Sequence, residues 1–225
     1  KTALITTEGF GDVLHIMRQD RPKLYDFFAR RPEPLIPRRL RFEARERVLF
    51  TGKVYRKLDE VRLRRIIVEL KKEKVAAVAV CLLHSYANPI HERRIRDILL
   101  RTCPGVSVSI SCEILPEIKE YERMSTTAMN AAVSSIVDNY LKALTSQLNR
   151  KGFQKTVHIM QSNGGVMPAS AAGKKSVSTV LSGPAAGVLG GVGLARQAGF
   201  DNAITVDMGG TSFDICLAYR GEFKL

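Results

Sequence analysis

The sequence predicts an α/β fold with a mainly parallel sheet. Residues 75–83 are continuously apolar, as expected for a strand that is covered on both faces. A helix is predicted over 88–100, and residues 106–110 have the character of another strand. Because strand–helix–strand units cross over with a right hand, these two strands are expected to be parallel neighbours in one sheet.

The elements before this unit follow from local patterns. Residues 2–6 are predicted to form a short buried strand, 7–16 a cap and first helical turn, and 21–28 a second short helix. Partial alternation over 40–50 and 53–58 predicts extended strands on either side of Thr51-Gly52.

A helix is predicted next, with Asp59 as its cap. Its expected apolar face consists of Val61, Ile66, Ile67 and Leu70.

A long helix is predicted from about residue 117 to Arg150, ending at Gly152. Its expected apolar stripe comprises Ala132, Val133, Ile136, Tyr140, Leu141, Leu144 and Leu148. Polar residues are concentrated at the start of this helix, namely Glu120, Arg123, Ser125, Thr126, Thr127 and Asn130. Two explanations remain open for them: contact with a substrate or between lobes, and ordinary helix capping.

A strand over 157–161 is predicted to enter a polar, glycine-rich turn that contains Asn163. Polar strand ends of this kind are common ligand positions in α/β proteins, so Asn163 joins the candidate substrate or interlobe residues.

The glycine-rich segment 182–198 is predicted to be a helix capped by Ser182 and preceded by a strand over 177–181. Small residues recur at every fourth position, at Gly183, Gly187, Gly191 and Ala195. Interior glycines each cost about 1 kcal/mol against alanine, so the stripe needs a compensating reason. Close helix–helix packing is favoured over a nucleotide loop, since the spacing matches neither G-x-G-x-x-G nor a Walker A motif.

A hairpin is predicted from two strand-like runs, 203–206 and 215–219, joined through Asp207-Met-Gly-Gly-Thr-Ser-Phe-Asp214. Glycines let backbone N–H groups approach an anion, and Gly209, Gly210, Thr211 and Ser212 are the candidate phosphate-binding residues. An acidic residue at a strand end can hold Mg²⁺ through water or orient an attacking water. Asp207 is therefore the first candidate catalytic and metal-binding residue, with a simple tight turn as the alternative.

Composition excludes several classes of protein. The 225 residues carry a formal net charge of +13, but the basic residues are scattered and mixed with acids, so nucleic-acid binding is not expected. No apolar stretch is long enough for a membrane span, and the N-terminus lacks the pattern of a signal peptide. Four dispersed cysteines without a C-x-x-C pair favour reduced thiols in the cytoplasm.

The loop 84–92 contains His84, His91 and Glu92, which raise the hypothesis of a metal site. Their spacing matches no familiar metal motif, and Pro89 with Glu92 is typical of a helix start. A structural role is therefore favoured.

Together these motifs resemble those of the hydantoinase A/5-oxoprolinase family, in the actin-like ATPase superfamily. The resemblance is carried by Ser-Gly-Pro-Ala-Ala-Gly-Val at 182–188, by the segment Asp207 to Asp214, and by the stretches 31–38, 84–92 and 117–130. It implies an incomplete actin-like (ribonuclease H-like) architecture of mixed sheets with flanking helices. It further implies a family N-terminal domain portion over 1–116 and a hydantoinase A domain portion over 117–225.

The resemblance also implies a function. The expected activity is ATP- and Mg²⁺-dependent opening of a cyclic amide, such as a hydantoin, an N-methylhydantoin or 5-oxoproline, with Asp207 and Asp214 at the site. The expected partner is a hydantoinase B-type subunit, and a homo-oligomer is left open. Because the family's first phosphate loop is not found upstream, the chain is expected to be a fragment with little ATPase activity of its own. A subunit of an ATP-dependent ketone carboxylase and a non-catalytic partner-binding fragment are the alternatives, and a sugar-kinase-like phosphotransferase is less favoured.

Overall fold

The computed structural model describes residues 1–19, 23, 25, 26, 28–30 and 32–223. Within these residues the chain divides into two compact units, 1–135 (unit 1) and 136–225 (unit 2). The short helix expected over 21–28 includes residues outside the described ones.

Unit 1 contains the strands and helices of the predicted α/β fold. In chain order these are β1 (Thr2–Thr7), α1 (Val13–Ile16), a 3-10 turn (Arg38–Leu40), β2 (Arg41–Ala44), β3 (Arg47–Val48), β4 (Val54–Arg56), α2 (Glu60–Lys72), β5 (Ala77–Cys81), α3 (Ile90–Thr102), β6 (Ser107–Ile110), α4 (Ser111–Ile114) and the start of α5 (Glu120–Arg150).

The central sheet of unit 1 has four parallel strands in the order β2-β1-β5-β6. Every residue of β5 is buried, and Ala3, Leu4 and Ile5 of β1 are fully buried beside it. The parallel sheet and the covered strand predicted from residues 75–83 are both confirmed. The strands over 40–50 and 53–58 are also confirmed, although β3 and β4 form a separate antiparallel pair.

Helix α2 shows how local rules and packing combine. The Asp59 carboxylate accepts the backbone N–H of Arg62 at 2.9 Å, which confirms the predicted cap. Its buried face consists of Leu63, Ile66, Ile67 and Leu70. The placement of Val61 on that face was wrong, because at about 100° per residue it lies opposite Leu63 to Leu70; it is 63% exposed.

Thr7 was also expected in a helix cap but belongs to β1, where it pairs with Ala44. The single-turn helix α1 begins after Asp12 instead, without a side-chain cap.

Helix α5 is continuous over 31 residues and contributes to the cores of both units. Met124, Ala128 and Ala131 are buried in unit 1, and Leu141 is buried in unit 2. The predicted stripe is only partly buried, because Ile136 and Tyr140 lie on another side of the helix and are exposed.

Unit 2 contains the remaining elements around a small core formed by Leu141, Met167, Ala169 and Ala172. The elements are β7 (His158–Met160), β8 (Val166–Pro168), α6 (Ala169–Lys174), a 3-10 helix (Ser176–Thr179), α7 (Ser182–Gln197), β9 (Ala203–Met208) and β10 (Phe213–Ala218). The strand over 157–161, the glycine-rich helix and the hairpin are confirmed.

The strand predicted over 177–181 was wrong, since Ser176–Thr179 forms a 3-10 helix. The hydroxyls of Ser176 and Thr179 donate to backbone carbonyls of the preceding turn, which favours a turn over an extended chain. Ser182 does not cap α7 either, because the capping position is taken by Leu181 in a left-handed conformation.

The small-residue stripe of α7 packs closely, but against a strand rather than a helix. A Cβ built on Gly191 would lie 2.6 Å from the Thr205 Cγ2 atom of β9. A Cβ on Gly187 would lie 3.9 Å from the Asp207 Oδ2 atom. The side of α7 that carries the small residues therefore faces β9.

We expect Gly191→Ala to lower the free energy of unfolding by about 1–3 kcal/mol, because the added methyl group would overlap with Thr205. Gly193→Ala is the matched control, since a Cβ there meets nothing within 4 Å. It should be neutral or stabilising by up to about 1 kcal/mol. Thermal denaturation monitored by circular dichroism measures both, and equal midpoints for the two variants would contradict this packing.

Candidate functional site

The predicted phosphate-binding residues lie at the tip of the β9–β10 hairpin. The strands are antiparallel, with Met208 paired to Phe213 as the last pair before the tip. The tip is closed by the N–H of Gly209, which donates to the carbonyl of Ser212 at 3.0 Å. Gly209, Gly210, Thr211 and Ser212 are all exposed; the amides of the last three and the hydroxyls of Thr211 and Ser212 are accessible to an anion.

Asp207 and Asp214 are brought directly opposite each other. They form the second cross-strand pair before the tip, and both side chains are exposed. Like charges at such a position repel, and neither carboxylate forms an ion pair within the described ranges. This arrangement is suited to binding a cation or orienting a water molecule.

Strand alternation places Asp207 on the same face of the hairpin as Thr205, the face that packs on α7. The opposite face carries large apolar side chains that are 56% to 76% exposed. These are Ile204, Val206, Met208, Phe213, Ile215 and Leu217. The two aspartates are thus kept apart from the apolar face.

A second polar group lies in unit 1, where the four parallel strands end. We call it the carboxyl-edge cluster. It comprises Thr7, Glu46, Ser85, His91, Glu92, Ser111 and Arg123, all of which are buried. Carboxyl ends of parallel strands are the usual ligand side of α/β sheets.

Glu92 connects two strand ends of this cluster to α3. Its carboxylate accepts the N–H of Leu82 at 2.8 Å and the N–H of Cys112 at 2.9 Å. It also accepts the hydroxyl of Ser111 at 2.6 Å. Three donors therefore satisfy a carboxylate that is wholly buried.

Arg123 enters the cluster from α5. Its Nη1 donates to Ser85 Oγ at 2.7 Å, and its guanidinium lies 5.3 Å from the centre of the Tyr86 ring. Its Nε atom is buried without a hydrogen-bond partner among the described residues.

Thr7 and His91 both hydrogen-bond to Glu46. The Thr7 hydroxyl donates to Glu46 Oε1 at 2.5 Å, and 2.6 Å separates His91 Nδ1 from Glu46 Oε2. An ionised carboxylate only accepts hydrogen bonds, so with an ionised Glu46 the proton of this contact is on His91 Nδ1.

The other predicted contact residues fall into two places. On α5, Thr127 donates to the carbonyl of Arg123 and Asn130 donates to Ser109 of β6, whereas Glu120 and Thr126 are half-buried. Asn163 is exposed in the β7–β8 turn and accepts the N–H of Gly165. Thus Arg123 joins the cluster, Thr127 and Asn130 bond within unit 1, and Asn163 belongs to unit 2.

Sequence reasoning did not single out Thr7, Glu46, Ser85 or Ser111. Their common signal is position, because each lies at the end of a strand of the sheet or within four residues after it. The metal hypothesis for loop 84–92 finds no support in the contacts: His84 bonds Tyr86, His91 bonds Glu46, and Glu92 accepts from three donors. Across the described residues, no group of three or more His, Cys, Asp and Glu side chains is arranged to hold a metal ion.

Comparison with known proteins decides the family. The sequence profile of the "Hydantoinase/oxoprolinase N-terminal region" matches residues 1–103, and that of "Hydantoinase/oxoprolinase" matches residues 123–225. This chain belongs to the hydantoinase/oxoprolinase family.

Relatives of this family member include enzymes of two kinds. The caprolactamase subunit alpha of Pseudomonas jessenii is 35% identical over 224 residues, covering 99% of this chain and 32% of the relative. The 5-oxoprolinase 1 of Arabidopsis thaliana is 30% identical, covering 100% of this chain and 19% of the relative.

Solved structures confirm the fold. The ATP-dependent caprolactamase from Pseudomonas jessenii matches with a TM-score of 0.82 at 35% identity, over 96% of this chain and 32% of that one. Nucleotide-free acetone carboxylase matches with a TM-score of 0.89 at 29% identity, over 99% of this chain and 33% of that one. The chain thus spans about a third or less of the length of these relatives.

In the part of the chain that the structure describes, no helix combines the length and apolar character needed to cross a membrane.

Glu92→Ala should lower the free energy of unfolding by about 3 kcal/mol or more, because it leaves the Leu82 and Cys112 N–H groups buried and unpaired. The matched control is Glu113→Ala, which removes an exposed carboxylate paired with Arg96. That change should cost less than about 1 kcal/mol. Urea denaturation compares them, and similar midpoints would show that the Glu92 contacts contribute little.

Two cysteines should resist alkylation in the native protein. Burial is the main reason why the pKa of Cys81 and that of Cys112 both rise to about 12. Both thiols therefore stay protonated at about pH 8, where the thiolate is the reactive form. Iodoacetamide labelling followed by mass spectrometry should modify Cys81 and Cys112 only after unfolding; fast native labelling of either would contradict the burial.

Proposed function

We propose that the β9–β10 hairpin is a phosphate-binding element of an ATP-dependent cyclic amidase. The observation that carries the proposal is the pairing of Asp207 with Asp214 beside the exposed Gly209-Gly210-Thr211 tip. The proposal is supported by the printed descriptions of the relatives, an ATP-dependent caprolactamase and a 5-oxoprolinase.

The residues at the tip have the chemistry that a magnesium nucleotide requires. Mg²⁺ prefers oxygen ligands and is commonly held by one or two carboxylates together with phosphate oxygens and water. Asp207 would hold Mg²⁺ through water or orient a water molecule, and Asp214 would support it from the partner strand. A cation there would also offset the repulsion between the two carboxylates.

The backbone at the tip would bind the phosphate oxygens. Gly210 has no side chain to hold an anion away from its amide, and the hydroxyls of Thr211 and Ser212 add donors. Gly209 shapes the turn, since its N–H donates to the carbonyl of Ser212. When bound, ATP would supply a phosphoryl group to the amide oxygen, which makes the carbonyl carbon easier for water to attack. The ring would then open at the C–N bond, and a second water would release the phosphate.

The substrate class and partners follow from the same relatives. We infer a cyclic amide of the lactam, hydantoin, N-methylhydantoin or 5-oxoproline type. Because relatives are named as alpha or beta subunits, a second subunit of the hydantoinase B type is the inferred partner. Four free cysteines are consistent with a cytoplasmic location.

A ketone carboxylase subunit is the second candidate, since nucleotide-free acetone carboxylase has a TM-score of 0.89 to this chain. Product analysis separates the two functions: a cyclic amidase converts a lactam or hydantoin when ATP is present, whereas a carboxylase consumes a ketone together with bicarbonate.

Asp207→Asn should weaken binding of a fluorescent ATP analogue in the presence of Mg²⁺ by at least about tenfold, because it removes a carboxylate from the proposed metal position. Asp201→Asn is the matched control, an exposed aspartate before the same strand. It should leave affinity within about twofold. Unchanged binding by the Asp207 variant, or an equal loss in both variants, would count against the site.

A further inference from the structure

A cavity of about 370 Å³ opens where β1 ends and the β3–β4 pair begins. The charged part of its wall includes Glu8, Arg47 and Arg56, and its apolar part includes Leu49 and Tyr55. The volume is within the usual range for small-ligand pockets. These residues all belong to unit 1, so the cavity is distinct from the β9–β10 hairpin.

Arg47 provides hydrogen-bond donors that no other described residue uses. Its side chain forms no hydrogen bond or ion pair within the described ranges, and its guanidinium lies 5.3 Å from the centre of the Phe10 ring. In the same ranges, the only buried side-chain nitrogen or oxygen without a partner is Arg123 Nε. The unpartnered nitrogens of Arg47 are therefore accessible rather than buried.

Strand pairing places a second guanidinium beside the first. Arg56 is the cross-strand partner of Arg47, and the pairing shifts register between Arg47 and Val48. Such irregularities re-aim side chains and are common next to functional sites. Because the two positive charges repel each other, an anion that contacts both would be stabilised by both.

The other polar groups of the wall are already engaged. Glu8 accepts from Arg62 at 2.5 Å and lies 3.5 Å from Arg56 Nη1. The Glu46 side chain is wholly buried, and both of its oxygens are hydrogen-bonded. The Thr7 hydroxyl donates to one of those oxygens. What the wall offers a ligand is therefore mainly the N–H donors of its two guanidinium groups.

A wall of free donors favours a ligand group that only accepts hydrogen bonds. Ionised carboxylates and phosphates both have this property, and a guanidinium can bind either through two parallel hydrogen bonds. A phosphate monoester carries about 1.5 to 2 negative charges at pH 7. Glu8 and Glu46 in the same wall would repel that extra charge. A singly charged carboxylate is therefore the better match.

We propose that this cavity binds the carboxylate of a carboxylate-bearing cyclic amide, the chemical class to which 5-oxoproline belongs. Arg47 would bind the carboxylate through its free N–H groups, and Arg56 would add a second positive charge. Leu49 and Tyr55 would contact the ring. That the ligand is a cyclic amide rests on the proposed function, whereas its carboxylate rests on the cavity.

Isothermal titration of the purified protein without nucleotide tests the role of the carboxylate. It compares 5-oxoproline with 2-pyrrolidinone, which is the same ring without the carboxylate, and with 5-oxoprolinamide, which keeps the shape but not the charge. 5-Oxoproline should bind at least about tenfold more tightly than either neutral ring, because only its carboxylate forms charge-assisted hydrogen bonds to Arg47.

Arg47→Met should weaken 5-oxoproline binding by at least about tenfold, because it removes the N–H donors and keeps the aliphatic stem. It should also abolish the preference over 5-oxoprolinamide. The matched control is Arg45→Met, two residues earlier, exposed and outside this cavity. That change should leave affinity within about twofold. Circular dichroism checks that each variant is folded.

Three results would overturn the inference: no binding of 5-oxoproline by the wild type, equal affinity for 5-oxoprolinamide, or an Arg47→Met protein that binds normally. Tighter, Arg47-dependent binding of inorganic phosphate would also overturn it, since the cavity would then be a phosphate site. Nucleotide titration of the wild type is an independent readout. Absence of ATP binding alone would refute the proposed function and leave the carboxylate site standing.

Discussion

The buried carboxylate of Glu92 is the constraint on which the polar edge of unit 1 depends. An isolated carboxylate in an apolar interior is unfavourable by many kcal/mol, and this one is wholly buried. It is tolerated because two backbone N–H groups and one hydroxyl converge on it from the ends of β5 and β6. The two backbone N–H groups would in turn be unsatisfied without it, so the carboxylate and the two strand ends fix one another. From there the Ser111 hydroxyl contacts Ser85, and Ser85 accepts from Arg123, which extends the network to α5.

The same edge contains a second buried carboxylate with other partners. Glu92 accepts three hydrogen bonds, whereas Glu46 is hydrogen-bonded to Thr7 through one oxygen and to His91 through the other. Thr7 also accepts the N–H of Leu83, which links the ends of β1 and β5. Burial lowers the pKa of the nearby His84, so its imidazole remains neutral near pH 7 and adds no charge. The two glutamates therefore both connect the carboxyl ends of strands to α3.

Sequence reasoning succeeded where one local pattern decides the outcome. The apolar run 75–83, the Asp59 cap and the Asp-x-Gly-Gly-Thr tip each have a local physical cause, and each has the predicted form. It failed where a contact with a residue distant in the sequence decides the local structure or burial. Glu46 stands between Arg45 and Arg47 in a stretch that looks like a solvated strand, and its burial depends on bonds to Thr7 and His91, which are 39 and 45 positions away. The run 177–181 looked extended because it is rich in β-branched residues, but the hydroxyls of Ser176 and Thr179 bond to carbonyls of the preceding turn. The stripe on α7 predicted close packing correctly, but not that its partner is a strand.

The position of Asp207 is set by backbone packing rather than by side-chain partners. Thr205 of β9 contacts α7 at Gly191, where even a methyl group would overlap, so the distance between helix and strand is fixed at that point. Asp207, two residues further along the same face, lies next to Gly187 of the helix. Gly187 has no side chain to fill the space beside Asp207 or to form a hydrogen bond with it. Packing therefore places the backbone of Asp207, whereas its carboxylate is exposed. A side chain larger than a methyl group at Gly187 would fill this space and move Asp207 without touching the Gly209–Gly210 tip. The glycines of α7 thus have a functional consequence as well as a packing one: they leave the proposed metal position open.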